Sequence, residues 1–190
     1  MGGIVTAVVW IVYLQIFVSS FRRQRRSEIL IHTGGNRVNP RIFVSNLGFE
    51  PIYTIEIVLG VTSSGERKEV SVIDRSEVDE HDLTSPAAAT LQGPLASGEY
   101  VDIGSLEEVL QRARVNDCAA PATDQIERIE IQVAAITAAT SSIVAAHREF
   151  DLAWSDGALR MTPRTLYAIQ IRSWWGRRRI ERNLKTKLIG

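Results

Sequence analysis

The chain has 190 residues, with 22 basic and 22 acidic side chains, and it carries a single cysteine, Cys118. One cysteine excludes an internal disulfide, so nothing in the composition indicates an oxidising compartment. The zero net charge conceals three segments of opposite sign: residues 1–26 carry a formal +4, residues 27–159 carry −12 and residues 160–190 carry +8. The sequence thus predicts an acidic domain between two basic segments.

The N-terminal segment predicts a single transmembrane helix. Residues 2–21 contain no charged side chain, and a helix of that length spans about 30 Å, the thickness of a bilayer's hydrocarbon core. A cleaved secretory signal carries its positive charges before the apolar run, whereas here they follow it, at Arg22, Arg23, Arg25 and Arg26. The positive-inside rule then places the N-terminus outside and the remaining chain in the cytoplasm.

One polar residue, Gln15, lies inside the predicted span. A side-chain amide in hydrocarbon favours an interhelical hydrogen bond worth about 0.6–2 kcal/mol, and a small-residue pair such as Gly3 and Ala7 also favours helix association. The alternative is that Gln15 lies near enough to Arg22 to reach the cytoplasmic interface by itself. The sequence leaves both interpretations open.

Residues 28–162 predict a mainly β domain with one short helix. Short apolar or alternating runs separated by turn sequences are typical of an antiparallel β-sandwich. The predicted strands are residues 28–32, 41–45, 52–62, 68–73, 99–103, 128–133, 142–154 and 158–161. A long polar loop at 74–98 surrounds a short strand near Leu91. The capping box of Ser105 and Glu108 marks the start of the helix, which we expect to end near Val115.

Residues 163–190 predict a basic amphipathic tail. A helical stripe is formed by Leu166, Ile169, Ser173, Ile180, Leu184 and Leu188. The helix either begins at Pro163, which suits a first turn, or begins later, with residues 166–171 forming a last strand of the sandwich. We expect Gly176 to weaken the helix and to kink it.

The basic ends of the chain predict a membrane-interface surface. Indole rings sit at headgroup depth and arginines meet lipid phosphates, so anionic headgroups are the expected partner. The candidate residues are Arg22, Arg23, Arg25, Arg26, Trp174, Trp175, Arg177, Arg178 and Arg179. Alternatively, the tail folds back on its own acidic domain, or Trp174 or Trp175 packs on the sandwich. Nucleic-acid binding by the tail is unlikely, because the predicted helix tethers the tail beside a bilayer.

The sequence offers little catalytic chemistry, and we predict no enzyme, no cofactor and no metal site. Phosphate-binding, nucleophile-elbow and zinc motifs are absent from the sequence. The acidic cluster at residues 79–82 contains His81 and could bind a hard cation weakly, but a solvated acidic loop is the simpler interpretation. Cys118 has no basic partner nearby in sequence, and His32 and His147 are expected to be ordinary strand residues.

Several stretches resemble a group of uncharacterised small single-pass inner-membrane proteins of proteobacteria. The stretches that carry the resemblance are residues 10–15, 21–26, 45–48, 50–53 and 91–100. The resemblance covers most of the chain and implies a bacterial inner membrane. It implies no known activity and supplies no catalytic residues.

Together these features predict four segments: a transmembrane anchor at 1–21, a basic juxtamembrane segment at 22–27, a β-sandwich-like cytoplasmic domain at 28–162 and the basic tail at 163–190. We expect a non-enzymatic interaction or scaffold module on the cytoplasmic face of the bacterial inner membrane, with a protein partner or self-association. The alternatives are a metal-dependent enzyme that uses residues 79–82, and nucleic-acid binding by the tail.

Overall fold

The computed structural model describes residues 2–24, 28–35, 39–76, 86–117, 121, 123–137, 142–155 and 158–189. It begins with helix α1, Gly2–Gln24. The window Gly2–Ser19 has a mean hydropathy of 1.9 and none of it is buried against the rest of the chain. By length and composition α1 is able to cross a membrane, although a signal sequence meets the same criterion.

Within the described residues, the domain that follows is built from ten antiparallel strands, two further α-helices and two short 3₁₀-helices, Pro86–Ala89 and Thr123–Gln125. In chain order the elements are β1 (Ile29–Gly34), β2 (Arg41–Asn46), β3 (Ile52–Ser63), β4 (Glu66–Ser71), β5 (Gly93–Leu95), β6 (Tyr100–Ser105), α2 (Leu106–Asn116), β7 (Arg128–Thr137), β8 (Ile143–Ser155), β9 (Ala158–Pro163), β10 (Ile169–Gln170) and α3 (Trp174–Ile189). The mainly β, antiparallel fold that the sequence predicts is thereby confirmed.

The strands form two sheets around one core. The small sheet has the order β1-β2-β6, and the large sheet has the order β10-β8-β7-β3-β4, with β5 beside β3 and β9 beside β8. Successive side chains of a strand point to opposite faces, so every second residue of a strand points into the core. The core contains Ile29, Ile31, Ile42, Val44 and Ile103 from the small sheet and Ile57, Leu59, Ile129, Ile131, Val133 and Phe150 from the large sheet. Each fully buried side chain of this size stabilises the fold by about 1.5–3 kcal/mol.

Helix α2 contributes to the same core. Both hydrogen bonds of the predicted capping box are present, from the Glu108 amide to Ser105 Oγ and from the Ser105 amide to Glu108 Oε2. The apolar side of the helix, including Val109, is buried. The Arg112 guanidinium, which is 1% exposed, donates to the carbonyls of Val72 and Ile103. These bonds tie α2 to both sheets.

Helix α3 packs on the outer face of the large sheet, opposite the core. Ile180, which is 3% exposed, contacts Ala134 and Ala145, and Leu184 packs against the same cluster. The small alanine side chains leave room for a helix to approach the sheet closely. The apolar stripe predicted for the tail therefore packs on the domain, at least through Ile180 and Leu184.

Of the two predicted starts of the tail helix, the structure shows the later one. Residues 169–170 form β10 in the large sheet, and α3 begins only at Trp174. Ser173 caps it, with its Oγ accepting from the Gly176 amide at 3.1 Å. Gly176 lies in this first turn, not at mid-helix, and a Cβ there would lie 2.6 Å from Ile171 Cγ2. The glycine therefore allows close contact between α3 and the residue after β10.

Candidate membrane-facing surface

Three segments lie side by side at the end of the domain where the chain arrives from α1. The Leu47 amide donates to the Glu28 carbonyl at 2.8 Å, which places the loop after β2 on one side of this arrival point. On the other side, Gln170 contacts Ile29. We call the end formed by Glu28, residues 47–50 and residues 170–175 the anchor-proximal end. Strand β3 starts directly after residues 47–50 and runs away from this end. The turn between β3 and β4 therefore lies at the opposite end of the domain, which we call the far end.

The contact between Gln170 and Ile29 joins the beginning of the domain to its C-terminal segment. The Ile29 amide donates to Gln170 Oε1 at 3.2 Å, and Gln170 Nε2 donates to the Ile29 carbonyl at 2.7 Å. The side-chain amide thus bonds both backbone groups of an edge-strand residue, as a neighbouring strand does. One residue later, the Ile171 amide donates to the Ala145 carbonyl at 2.7 Å. The segment that leads into α3 is therefore fixed beside the start of β1.

Arg148 reinforces the same seam between the two sheets. Its guanidinium donates to the Ile31 carbonyl at 2.6 Å and to the carbonyls of Thr165 and Leu166 at 2.9 and 3.1 Å. The residue is 8% exposed, and burial lowers its pKa. One cation thus bonds β1 and the segment between β9 and β10 at once. The position of Arg148 in the sequence of β8 gives no sign of this role, because the groups that accept its hydrogen bonds are backbone carbonyls of other segments.

The chain length limits how far the anchor-proximal end can lie from α1. Gln24, the last residue of α1, and Glu28 are four positions apart, and four extended residues reach at most about 14 Å. The same spacing separates Gln170 from Trp174, the first residue of α3. The end of the apolar helix and the start of the tryptophan-rich helix are thus both tethered closely to Ile29.

The two tryptophans at the start of α3 are exposed and stacked with an arginine. Trp174 is 55% exposed and Trp175 is 76% exposed. Their rings meet edge to face, with centroids 4.6 Å apart, and the Arg178 guanidinium lies 4.2 Å from the centroid of Trp174. A cation over an indole face is stabilised by the ring quadrupole. Aromatic and cationic groups are thereby held together at one surface.

Most of the described basic side chains of α3 are exposed. Arg178 and Arg179 are exposed, and Arg177 is half-buried. Within the described residues, the ion pair of α3 is internal, from Lys185 Nζ to Glu181 Oε1 at 2.8 Å, and no acidic side chain of the sheet pairs with Arg177, Arg178 or Arg179. The tail thus folds back on its domain through apolar contacts, and Arg178 and Arg179 remain exposed.

A polar network that the sequence does not reveal covers another part of the large sheet's outer face. Arg67 Nη1 on β4 reaches across β3 to Glu130 Oε2 on β7 at 2.6 Å. It passes over Gly60, where a Cβ would lie 3.3 Å from the guanidinium. His147 Nδ1 on β8 lies 3.3 Å from Glu130 Oε1. Burial raises the pKa of Glu130, but the contacts with His147 and Arg67 outweigh burial and lower that pKa to about 2.

This network has the character of a structural ion pair. A carboxylate held ionised by a guanidinium is a weak general base, because its pKa lies far below neutral pH. No group of three or more potential metal-ligating side chains is present among the described residues. His32 stacks on Phe43, with centroids 5.3 Å apart.

The remaining predicted site residues are placed as follows. Gln15 is exposed on α1, and Arg22 and Arg23 belong to its last turn. Arg25 and Arg26, the acidic cluster at 79–82 and Cys118 lie outside the described residues. The structure therefore places Trp174 and Trp175 at the anchor-proximal end, with Arg177–Arg179 directly after them in α3. Protein-family models, curated proteins and solved structures give no significant match to this chain.

Proposed function

We propose that this protein is a membrane-anchored, non-enzymatic interaction module whose anchor-proximal end faces the bilayer. The observation that carries the proposal is the pair of hydrogen bonds between Gln170 and Ile29. These bonds keep the start of α3 beside Ile29, which lies five positions after the end of α1. A surface containing Trp174, Trp175 and Arg178 is thereby held where α1, once inserted in a membrane, would bring the headgroups.

Anionic lipid is the partner that this surface fits. Each arginine close to an anionic leaflet gains about 1 kcal/mol, and an amphipathic indole favours the headgroup region. Arg178 and Arg179 are exposed and Arg178 lies against Trp174, so both kinds of side chain reach the same interface. The positive charges that follow α1 favour a cytoplasmic domain, with the N-terminus outside and the bacterial inner membrane as the location.

A protein partner would contact the part of the domain that points away from the bilayer, or α1 itself. The exposed Gln15 amide is the group in α1 best suited to bond another helix in hydrocarbon. Self-association through the same helix would serve equally to collect several domains at one place. Both arrangements make the sandwich a scaffold held at a set distance from the membrane.

Crosslinking in cells, followed by purification in mild detergent, tests the interaction role. We expect a stoichiometric partner, or a crosslinked oligomer of the protein itself, and we expect its yield to fall in a Gln15→Leu variant. A Thr6→Leu variant is the control, since Thr6 Oγ1 already donates to the Gly2 carbonyl within α1. Recovery of a monomer alone, from both the wild type and the control, would contradict the interaction role.

Reporter fusions after residue 26 and after residue 190 test the location. The proposal expects both fusions to report the cytoplasm, and it expects the N-terminal residues to stay on the mature protein. Loss of those residues would identify α1 as a cleaved signal, and an external C-terminus would contradict the cytoplasmic placement. Either result would overturn the membrane-anchored module on the cytoplasmic face.

A further inference from the structure

The loop between β2 and β3 exposes two large apolar side chains at the anchor-proximal end. Leu47 is 54% exposed and Phe49 is 73% exposed. This loop follows β2 directly, and the Leu47 amide is bonded to the Glu28 carbonyl. It therefore lies on the opposite side of the chain's arrival point from α3 and its two tryptophans.

The loop is held in a defined conformation by one buried residue. Asn46 is fully buried, and its Nδ2 donates to the carbonyls of Glu50 and Leu95 at 2.9 and 3.1 Å. Its Oδ1 accepts from the Gly48 amide at 2.9 Å, which closes an Asx turn. The exposure of Leu47 and Phe49 is thus built into a rigid turn whose polar atoms are bonded inward.

The position of the loop identifies what covers it. The hydrogen bond to Glu28 and the four residues back to Gln24 hold the loop within a short distance of the end of α1. A bilayer that contains α1 is the apolar phase that lies within this reach. Exposed apolar side chains bind a membrane interface by burying about 5–10 Å into the boundary of headgroups and acyl chains.

The charges around the loop favour shallow insertion. Three acidic residues lie nearby, Glu28, Glu50 and Glu99, and the Glu99 carboxylate accepts from the Ala96 amide at 2.8 Å. They exclude attraction of the loop itself to anionic lipid. The attraction comes from the arginines of α3 and of the juxtamembrane segment, and the loop contributes apolar contact.

We propose that Leu47 and Phe49 insert into the same bilayer as α1, so that the domain is attached at three points: α1, the start of α3 and this loop. The inference rests on the proposed function, because it requires α1 to lie in a membrane. Two of these attachments lie on opposite sides of the residues where the chain enters the domain, so together they would limit how far the domain can tilt on the bilayer. The far end of the domain would then project away from the bilayer.

Site-directed labelling of the full-length protein in vesicles of phosphatidylcholine and phosphatidylglycerol tests the inference. A Cys118→Ser background removes the single native cysteine. Three single-cysteine variants, Phe49→Cys, Trp175→Cys and Glu66→Cys, then carry an environment-sensitive fluorophore at the loop, at α3 and at the far end. Spin-labelled lipids quench only a fluorophore within the bilayer, and a Leu47→Cys variant repeats the loop measurement at a second position.

We expect the fluorophores at 49, 47 and 175 to shift to shorter wavelength and to be quenched several-fold more than the one at 66. Quenching at 175 without quenching at 49 and 47 would overturn the loop insertion while leaving the proposed function intact. Quenching at none of these positions would contradict both. A wavelength shift at 49 without lipid quenching would identify a protein, such as a second copy, as the cover, and would also overturn the inference.

Discussion

Both ends of the domain expose tryptophan, but in different surroundings. At the anchor-proximal end, Trp174 and Trp175 stand beside Arg178, and no acidic side chain among the described residues of the sheet pairs with the arginines of α3. Trp154, which is 56% exposed, lies near the end of β8 that is remote from β10. Two arginines close to that end of the large sheet are paired: both Arg128 and Arg164 lie within 3.5 Å of Asp151.

The proposed membrane contact therefore does not rest on exposed aromatic residues alone. Three features distinguish the anchor-proximal end. It is joined to an apolar helix by a short stretch of chain, and the arginines of α3 pair with no acidic side chain of the sheet among the described residues. In addition, hydrogen bonds between Gln170 and Ile29 hold the start of α3 in place. Single variants can change the packing of α3, its charges or the neighbouring ion pairs separately.

The largest effect on stability is expected from Ile180→Ala, which removes the main apolar contact of α3. Truncating a buried isoleucine costs about 2–5 kcal/mol, and α3 rests on a small cluster. Helix α3 should then open locally, and its amides should exchange roughly 30-fold faster or more, since 1.4 kcal/mol corresponds to a factor of ten. Hydrogen exchange measures this.

The exposed neighbour Arg182 supplies the control for that experiment. Arg182→Ala should leave exchange in α3 unchanged, because the side chain is exposed. Unchanged protection in Ile180→Ala would show that α3 does not depend on this contact for its place on the sheet.

Gly176→Ala should destabilise the docking of α3 although alanine is the better helix former. Alanine gains up to about 1 kcal/mol of helix propensity, but its Cβ would lie 2.6 Å from Ile171 Cγ2. We expect a net loss of thermal stability. In an Ile171→Ala background, which removes the nearer obstructing atom and leaves Ser173 Oγ at 2.9 Å, the same change should cost less stability. A stabilising effect in both backgrounds would contradict the close approach.

Reversal of the charges at Arg177, Arg178 and Arg179 to glutamate should abolish the preference of the domain for anionic lipid. At about 1 kcal/mol for each charge near the surface, the triple variant changes the attraction by several kcal/mol. Tryptophan emission in the presence of anionic and zwitterionic vesicles measures the preference. The triple lysine variant keeps the charge and should keep the preference. If the glutamate and lysine variants show the same preference for anionic vesicles, the charges of these arginines do not attract the domain to lipid.

Glu130→Gln should remove part of the acid sensitivity of folding without changing lipid binding. The pKa of Glu130 is about 2 in the folded protein, below its ordinary value of 4.5. Its contribution is therefore complete above about pH 4.5 and is lost as the pH falls towards 2, with a size on the order of 3 kcal/mol. Denaturant unfolding from pH 7 to pH 3 should show a flatter profile for the variant.

The exposed carboxylate of Glu181 provides the matched comparison. Its pKa is also lowered, by the hydrogen bond from Lys185, but solvent screens the pair. Glu181→Gln should leave the pH profile close to that of the wild type. If the two glutamine variants have the same profile, the network around Glu130 contributes nothing specific to stability.

Local sequence rules predict the elements of this fold well, because each is determined by nearby residues. The apolar run of α1, the alternation in β7 and the capping box at Ser105 and Glu108 are all local signals. The pairing of Ile29 with Gln170 joins residues 141 positions apart. It depends on the order of the strands, which periodicity does not determine.

The same limit applies to the surfaces. The sequence identifies Trp174, Trp175 and the arginines as candidates, but not the way α3 packs. That packing depends on the small size of Ala134 and Ala145, which are outward-facing residues of two different strands. Arg67, Glu130 and His147 come from three strands and meet only when the large sheet has formed. Side-chain types that look ordinary in the sequence acquire their roles from this register.

The most direct test of the account uses the native tryptophans as depth probes. Two full-length proteins are compared in vesicles of brominated anionic lipid, one keeping only Trp175 and the other keeping only Trp154, with the remaining tryptophans replaced by phenylalanine. The account predicts strong quenching of Trp175 and none of Trp154. Equal quenching of the two, or stronger quenching of Trp154, would contradict the claim that the anchor-proximal end faces the bilayer.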